Sequence, residues 1–384
     1  MRVVIDGRLY GLEHRGIGRY LVHLVSELGK IKTQDKFVLL LRRNYFKRLK
    51  LPKNWSKVLA NFGVYGFEEQ IKLPVVLNKI KPDLVHFPHF NVPILWRGRF
   101  VVTIHDMTMH AEKWHASQLP LMAFYLKKYA YKHVFSSAIR KSSKIITPSE
   151  VVASEIQQRF KVPKKKIEAV YEGYDPGVWT GKHPLDVLRG SELASGDYFV
   201  YVGSLFPHKN IATVVRALAI FNRHADKPVN LAIVGAKNLF LKPLLETISK
   251  EGMNEHVLVM GFVKDTDIST ILKNSLGLIY PSLSEGFGLQ GLEAMSSGTL
   301  VLASDIPTFR EVYADNAFYF DPKDPLNVAK TMHTVVKLTK KNREANIKKA
   351  GKFITRYSWN KMAKKTLAIY HETAKKSQSY AKGQ

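Results

Sequence analysis

An α/β fold of two parallel-sheet domains is predicted by three observations. Short, almost wholly apolar strands such as MRVVID (Met1 to Asp6), FVLLL (Phe37 to Leu41) and FVVTI (Phe100 to Ile104) alternate with segments of helical periodicity. That alternation is the mark of a parallel sheet covered on both faces. The pattern stops over residues 176–196, where Pro176, Gly177, Gly181, Pro184, Gly190 and Gly196 fall in a stretch without strong periodicity, as in a linker. It restarts at YFVYVG (Tyr198 to Gly203) and runs on to LVLA (Leu300 to Ala303). Two such runs predict two Rossmann-like domains facing a cleft.

In the first run, the strand Met1 to Asp6 passes through Gly7, Gly11, Gly16 and Gly18 into a helix carrying Leu21, Leu24, Val25 and Leu28. This is not the GxGxxG spacing of a dinucleotide fold. After the strand Phe37 to Leu41, the basic stretch Arg42 to Lys50 with Tyr45 and Phe46 reads as a solvated helix, a lipid-facing segment being the alternative. Strands follow at Pro82 to Pro88 and Phe100 to Ile104, the latter ending in His105-Asp106. Carboxyl ends of strands line the ligand crevice of an open α/β sheet, which marks His105 as a candidate site residue. Leu119 to Ile139 mixes apolar, aromatic and basic residues, with Lys127, Lys128 and Lys132 clustered. It fits equally a helix in a membrane interface and a core helix with a basic outer face. Lys144 to Thr147 and the run into Tyr171 add two further strands, closed by Glu172-Gly173-Tyr174-Asp175.

In the second run, Tyr198 to Gly203 leads through the loop Ser204 to Asn210 into a helix from Ile211 to Phe221. Further strands are expected at Asn230 to Gly235, Val257 to Met260, Leu276 to Tyr280 and Leu300 to Ala303. The stretch around which the chain is organised lies between the last two. Ser284-Glu285-Gly286-Phe287-Gly288-Leu289 turns from a strand into a helix bearing Leu292, Glu293 and Met295, which Ser296-Ser297-Gly298 ends. Gly286 and Gly288 allow a close backbone approach and positive φ. Unpaired amides and the positive end of the helix dipole make such a turn a seat for phosphate or sugar hydroxyls. An ordinary strand-to-helix turn with two surface glutamates is the alternative for these residues alone. Lys340 to Tyr370 is basic and largely helical, with an apolar stripe from Phe353 to Tyr370, and residues past Lys375 are expected to fray.

At 384 residues the chain has room for two ordinary domains. No apolar run is long enough for a membrane-spanning helix, and the apolar stretch at the start is too short for a signal peptide. With 0 cysteines there are no disulfides or cysteine metal sites, in keeping with a cytoplasmic enzyme. Lys+Arg 59 against Asp+Glu 32 gives a net charge of +27, an excess that attracts polyanions: nucleic acid, anionic lipid or nucleotide-sugar phosphates. No helix-turn-helix, zinc or RNA-binding signature accompanies it, so no nucleic-acid partner is expected.

From GIGRY and HFPHFNVP through VVTIHD, IITPSE, YEGYD and YVGSLFPHKN to SLSEGFGLQGLEAM and YSWNKMAKKTLAIY, nearly the whole chain resembles the retaining glycosyltransferases of family 4. The two glutamates Glu285 and Glu293, with seven residues between them, are the most specific part of the resemblance. It implies the GT-B architecture: an N-terminal acceptor domain (1–178), a nucleotide-sugar domain (179–352) and a C-terminal helix (353–384) crossing back to the first domain. It implies that Glu285 holds the transferred sugar with the amides of Gly286, Phe287, Gly288 and Leu289. Glu293 is then the partner of the ribose, Lys209 neutralises the departing diphosphate, and His105 contacts the sugar. Gly16 and Gly18 let the first loop approach the diphosphate, and residues around Val263 meet the base through their backbone. The GIGRY and HFPHFNVP versions are most similar to bacterial mannosyltransferases of polysaccharide or O-antigen assembly. GDP-mannose as donor substrate, no cofactor, a glycan or lipid-linked acceptor, and peripheral attachment to the anionic inner face of the cell membrane follow as expectations.

The chain departs from that family in one respect. Many members carry an arginine after the glycine that ends the first strand of the second domain, and here Gly203 is followed by Ser204. Ser204 with Lys209, or another cation such as Arg19 or Lys237, would have to serve the diphosphate. Cations and helix-end amides stabilise a leaving phosphate. No pair of carboxylates of the glycosidase kind is apparent, which fits a front-face substitution, the mechanism the resemblance implies. Asp265-Thr266-Asp267 spells a metal-binding Asp-x-Asp but precedes a helical pattern, so a helix N-cap is expected and no metal. Other hexosyltransferases of the family, a nucleotide-sugar epimerase and a non-enzymatic polyanion-binding protein are the competing readings.

Overall fold

The computed structural model describes residues 1–108, 120–175, 197–235 and 239–381. The chain forms two compact units, Met1–Gly173 with Ser358–Gln384, and Tyr174–Tyr357. The segment read as a linker and Lys237 lie outside the described residues.

The first unit holds a seven-stranded parallel sheet. Its strands are β1 (Arg2–Asp6), β2 (Lys36–Leu41), β3 (Trp55–Leu59), β4 (Leu84–Phe87), β5 (Phe100–Thr103), β6 (Lys144–Thr147) and β7 (Ile167–Ala169). They lie in the order β3-β2-β1-β4-β5-β6-β7. The central strands are largely apolar because helices cover both faces, and Val3, Val4, Ile5, Leu84, Val85 and Val101 are all 0 % exposed, as is the polar His86 in β4. The helix Arg15–Lys30 turns Tyr20, Leu21, Leu24, Val25 and Leu28 inward at helical spacing.

The second unit is a six-stranded parallel sheet. It contains β8 (Tyr198–Val202), β9 (Asn230–Val234), β10 (Val257–Gly261), β11 (Gly277–Tyr280), β12 (Val301–Ser304) and β13 (Phe318–Phe320). Their order is β10-β9-β8-β11-β12-β13. The core below this sheet gathers Phe199, Val215, Leu218, Phe221, Ile233, Ile279, Leu302 and Met332. Asp324 caps the helix Pro325–Val336 by accepting from the Leu326 amide, with Pro325 at the first helical position where its missing N–H costs nothing.

Five elements differ from the sequence reading. The edge strands β3 and β13 carry too little apolar periodicity to be read: β3 presents Ser56 and Lys57, and β13 has three residues. The basic stretch after β2 forms a helix only over Arg43–Phe46, and Lys57 Nζ donates to the carbonyls of Phe46 and Leu49 just beyond. The helix of Asp265–Lys273 begins at Asp265 itself, so Lys264 and not an aspartate occupies the cap, with no side-chain capping bond. The final helix runs Trp359–Ala381, past the expected fraying point, since no proline or glycine interrupts it there.

The final helix belongs to the first unit, and its contacts explain why. Tyr370 is 0 % exposed and its hydroxyl lies 2.5 Å from His86 Nδ1 in β4. Trp359 stacks on His23, and His371 Nε2 lies 2.7 Å from Asp35 Oδ2, whose other oxygen takes the N-terminal ammonium at 3.0 Å.

Candidate active site

The winding of the second sheet reverses between the neighbours β8 and β11. At such a switch point the loops leaving the carboxyl ends diverge and open a crevice. The β8 loop carries Ser204 to Asn210, and the β11 loop carries Pro281 to Gly288. The two loops are bonded to each other. The Leu283 amide donates to the His208 carbonyl at 2.8 Å, and Asn210 Nδ2 donates to the carbonyls of Pro281 at 3.3 Å and Pro322 at 2.7 Å. Asn210 takes φ 58°, a left-handed conformation asparagine tolerates, and this turns the chain from the short helix Pro207–Lys209 into the helix Ile211–His224.

This stapling brings Lys209 and Glu285 together. Lys209 Nζ is bonded to Glu285 Oε1, which also accepts from Ser282 Oγ at 2.8 Å. Burial pushes the Glu285 carboxyl up, but the Lys209 charge and the hydrogen bonds from Lys209 and Ser282 outweigh it and hold the group below the usual carboxylate range. Both side chains keep an exposed edge, 15 % for Lys209 and 13 % for Glu285. Thr308 Oγ1 fixes the Glu285 backbone by donating to its carbonyl at 2.9 Å.

Glu285 leads directly into Gly286, Phe287 and Gly288. Gly288 is the N-cap of the helix Leu289–Ser296, at φ 101° and ψ 51°. A Cβ there would lie 2.3 Å from Tyr313 Oη, and Tyr313 donates to the Gly288 carbonyl at 2.6 Å. Only glycine therefore fits. Phe287 is buried edge-on against Tyr357, with ring centroids 5.5 Å apart. Glu293 sits one turn into the helix, 4 % exposed. The arrangement pairs a cation, a carboxylate and the amino end of a helix at one strand switch, which suits an anionic ligand rich in hydroxyls.

The remaining expected residues fall elsewhere. Ser204 follows Gly203 half-buried, and its carbonyl accepts from Tyr201 Oη at 2.6 Å. Val263 stands after β10, next to Phe262, whose side chain is 82 % exposed. Gly16 and Gly18 are in the first turns of the helix Arg15–Lys30 in the first unit. Gly18 is demanded by its own loop, since a Cβ would lie 1.8 Å from the Gly11 carbonyl oxygen. Arg19 is half-buried in the same helix.

In the first unit the sheet reverses between β1 and β4. A small cavity of about 20 Å³ lies there, with Asp6, Arg8, Glu69 and Asn91 on its wall beside apolar residues such as Ile17, Leu21 and Phe87. Arg8, 2 % exposed, donates from Nε to Asp6 Oδ1 at 2.8 Å and from Nη2 to Asp6 Oδ2 at 2.7 Å, and is also paired with Glu69. Asn91 and the Tyr65 amide satisfy the second oxygen of Glu69. His105 follows β5. Its Nε2 donates to the Pro88 carbonyl at 3.0 Å, and its Nδ1 lies 3.3 Å from Glu172 Oε1.

Sequence reading found Lys209, Glu285 and the glycine turn, but not Ser282, Thr308 and Tyr313 as their supports. Ser282 adjoins the motif and could have been included. Thr308 and Tyr313 reach the site only through the helix Pro307–Tyr313 after β12, a packing relation with no local sequence signal. Among the described residues, no three His, Asp or Glu side chains converge as a metal site requires.

Two Rossmann-like units with this turn define a glycosyltransferase of the GT-B architecture. Within that class the chain belongs to the glycosyl transferases of group 1 and family 4. Residues 14–178 match the Glycosyltransferase Family 4 domain and residues 191–353 the Glycosyl transferases group 1 domain. The O-antigen chain mannosyltransferase RfbU of Salmonella typhimurium is 23 % identical over 376 residues, 94 % of this chain and 97 % of that one. The O-antigen chain mannosyltransferase B of Escherichia coli is 26 % identical over 332 residues, 80 % and 84 % of the two chains. The fold is shared with Anabaena HepE, solved with UDP and glucose, at a TM-score of 0.73 and 17 % identity, covering 96 % of this chain and 99 % of that one.

Proposed function

We propose that the enzyme transfers a hexosyl group, mannose in the first place, from GDP-mannose to a glycan or lipid-linked acceptor in cell-surface polysaccharide synthesis, with retention of configuration. The Lys209–Glu285 pair beside the Gly288-led helix carries the reading. Lys209 and the helix-end amides face the diphosphate as it takes up negative charge, where fixed cations and dipoles lower the barrier most. Glu285 accepts hydrogen bonds from the sugar hydroxyls, and Glu293 from the ribose. Val263 meets the base through its backbone, and Ser204 hydrogen-bonds the diphosphate while Lys209 supplies the charge. His105 contacts the sugar. The acceptor hydroxyl passes its proton to the leaving phosphate as the new bond forms on the same face. Two relatives named as mannosyltransferases favour mannose over other hexoses.

The same reading puts the enzyme on the inner face of the membrane as a peripheral protein. No helix among the described residues is long and apolar enough to cross a membrane. The helix Leu121–Lys141 buries Phe124, Tyr131, Phe135, Ala138 and Ile139. Its first half leaves Leu121, Met122, Tyr125, Leu126 and Tyr129 between 51 % and 84 % exposed, beside Lys127, Lys128 and Lys132. The core row runs from Phe124 to Ile139, and the exposed residues of the first half form an apolar, basic outer face. An apolar face rimmed with lysines suits anionic headgroups.

A thermal-shift panel with GDP, UDP, ADP and their sugar adducts tests the donor, because a ligand that binds only the folded form raises the melting temperature. Selective stabilisation by GDP and GDP-mannose is expected. A preference for UDP or ADP would replace the donor, and no shift with any nucleotide would overturn the transferase reading.

A further inference from the structure

We propose that Glu172 is the positioning residue of His105, holding its ring as a doubly hydrogenated imidazolium between a carboxylate and a backbone carbonyl. Glu172 lies just beyond β7 and is 5 % exposed, and His105 lies just beyond β5. The two meet because β5 and β7 flank β6 in the sheet. A carbonyl has no hydrogen, so the 3.0 Å contact to Pro88 requires one on Nε2. A bare Nδ1 lone pair 3.3 Å from a carboxylate would be repelled, so with Glu172 ionised that contact calls for a hydrogen on Nδ1 as well.

The groups around the ring agree with a charge at this place. Tyr20 meets it edge to face, with centroids 4.9 Å apart and planes at 80°. His86 in β4 and His89 after it are kept neutral, pushed down to about 3 by burial and, secondarily, by the nearby His105. Asp106, the next residue, turns its carboxylate to the Thr108 amide at 2.9 Å. Of these three histidines, His105 is the one placed against a carboxylate, and the charge is assigned to it on that contact. In that state the ring has no free lone pair and cannot serve as a base. It acts instead as a rigid positive group at the carboxyl end of β5.

The effect on turnover rests on the proposed transferase function, but the state of the ring does not. Nitrogen-15 NMR of histidine-labelled, full-length protein at neutral pH, with His105→Asn to assign the signal, reads that state directly. Both ring nitrogens of His105 are expected in the imidazolium form in the wild type. In Glu172→Gln they are expected to collapse to a neutral ring with its hydrogen on Nε2, and Glu172→Asp should restore the cation in part. A neutral His105 in the wild type, or an unchanged signal in Glu172→Gln, overturns the proposal. If Glu172→Gln does not fold, the wild-type spectrum alone decides. In a mannosyl-transfer assay Glu172→Gln should lower kcat roughly tenfold or more and change its pH profile, with the GDP-induced thermal shift intact. Absence of transfer by the wild type would overturn the function and leave the ring's protonation state, as read by NMR, unaffected.

Discussion

The Lys209 ammonium and the Glu285 carboxylate, 76 positions apart in sequence, join the loops that leave two neighbouring strands of the second sheet. The proposed function gives the pair a role in turnover and its burial gives it one in stability, and substitution is expected to separate the two. Lys209→Met removes the charge, keeps the stem, and leaves a mostly buried carboxylate without its cation. A stability loss of about 1–3 kcal/mol is expected, with a fall in turnover of about 10²–10³-fold. Adding Glu285→Gln should recover much of the stability and none of the turnover. Urea unfolding and a transfer assay check both. Recovery of turnover in the double variant would reduce the pair to a structural one. Glu285 is held below its ordinary range, so its contribution is present at neutral pH and disappears as pH falls through the lowered folded value.

Gly288→Ala tests whether the turn is made for backbone approach. The residue is left-handed, and the new Cβ would meet Tyr313 Oη at 2.3 Å and Phe309 Cε1 at 2.8 Å. Tyr313 cannot move aside without losing its bond to the Gly288 carbonyl. A loss of about 2–4 kcal/mol is expected, and the donor-induced thermal shift should vanish. Tyr313→Phe in the same chain should return part of the stability by removing the nearer clash. A variant as stable as wild type that still binds donor would sink this account of the turn.

The parts of this site that could be read from sequence are those made by neighbours in the chain. Glu285 to Glu293 is one strand-turn-helix, so its glycines and glutamates declare themselves by spacing. The central strands were legible for the same reason, being continuous apolar runs. What was hidden depends on the order of strands in the sheet. Nothing in the sequence says that β8 borders β11, and hence that Lys209 meets Glu285, except through family resemblance. The edge strands β3 and β13 were missed because they are only partly covered and so lack a distinctive pattern. Glu172 stood inside a quoted motif, but its meeting with His105 is set by the pairing of β5, β6 and β7.

His86 makes the first unit sensitive to acid. It is 0 % exposed, between the Tyr370 hydroxyl at 2.5 Å and Thr103 Oγ1 at 2.8 Å. One donor and one acceptor nitrogen satisfy these hydroxyls in the neutral ring, and it is burial that opposes the charge of the cation. Burial lowers the folded value to about 3, whereas the unfolded chain takes up the proton near pH 6.5. Between those limits the unfolded state binds more protons, so stability falls as pH drops, by up to about 3 kcal/mol at pH 4. His86→Asn should be less stable than wild type at pH 7 and lose less on acidification. Parallel unfolding curves for the two proteins from pH 7 to pH 4 would show that His86 is not the group responsible.

The exposed face of Leu121–Lys141 makes a prediction that separates apolar from electrostatic attachment. Met122 and Leu126 are one turn apart on the same side, 84 % and 71 % exposed. Burying such a side chain in a bilayer interface is worth about 1.5–3 kcal/mol at most, and each nearby lysine adds about 1 kcal/mol at low salt on an anionic surface. Met122→Ser with Leu126→Ser should therefore weaken binding to phosphatidylglycerol vesicles by about tenfold or more, with the salt dependence kept. Lys127→Gln with Lys128→Gln should weaken it mainly at low salt. Helix Phe67–Ile80 exposes Phe67, Ile71 and Val75 at four-residue spacing, and its Gln70 Oε1 accepts from the Ile94 amide at 2.8 Å. The Ile94 carbonyl accepts in turn from Lys141 Nζ at 2.7 Å, tying both helices to one loop. Phe67→Ser is expected to add to the first effect, because the bilayer would meet both helices together. Wild-type protein that stays free of anionic vesicles at low salt in a sedimentation assay would remove the membrane from the account and leave a soluble acceptor.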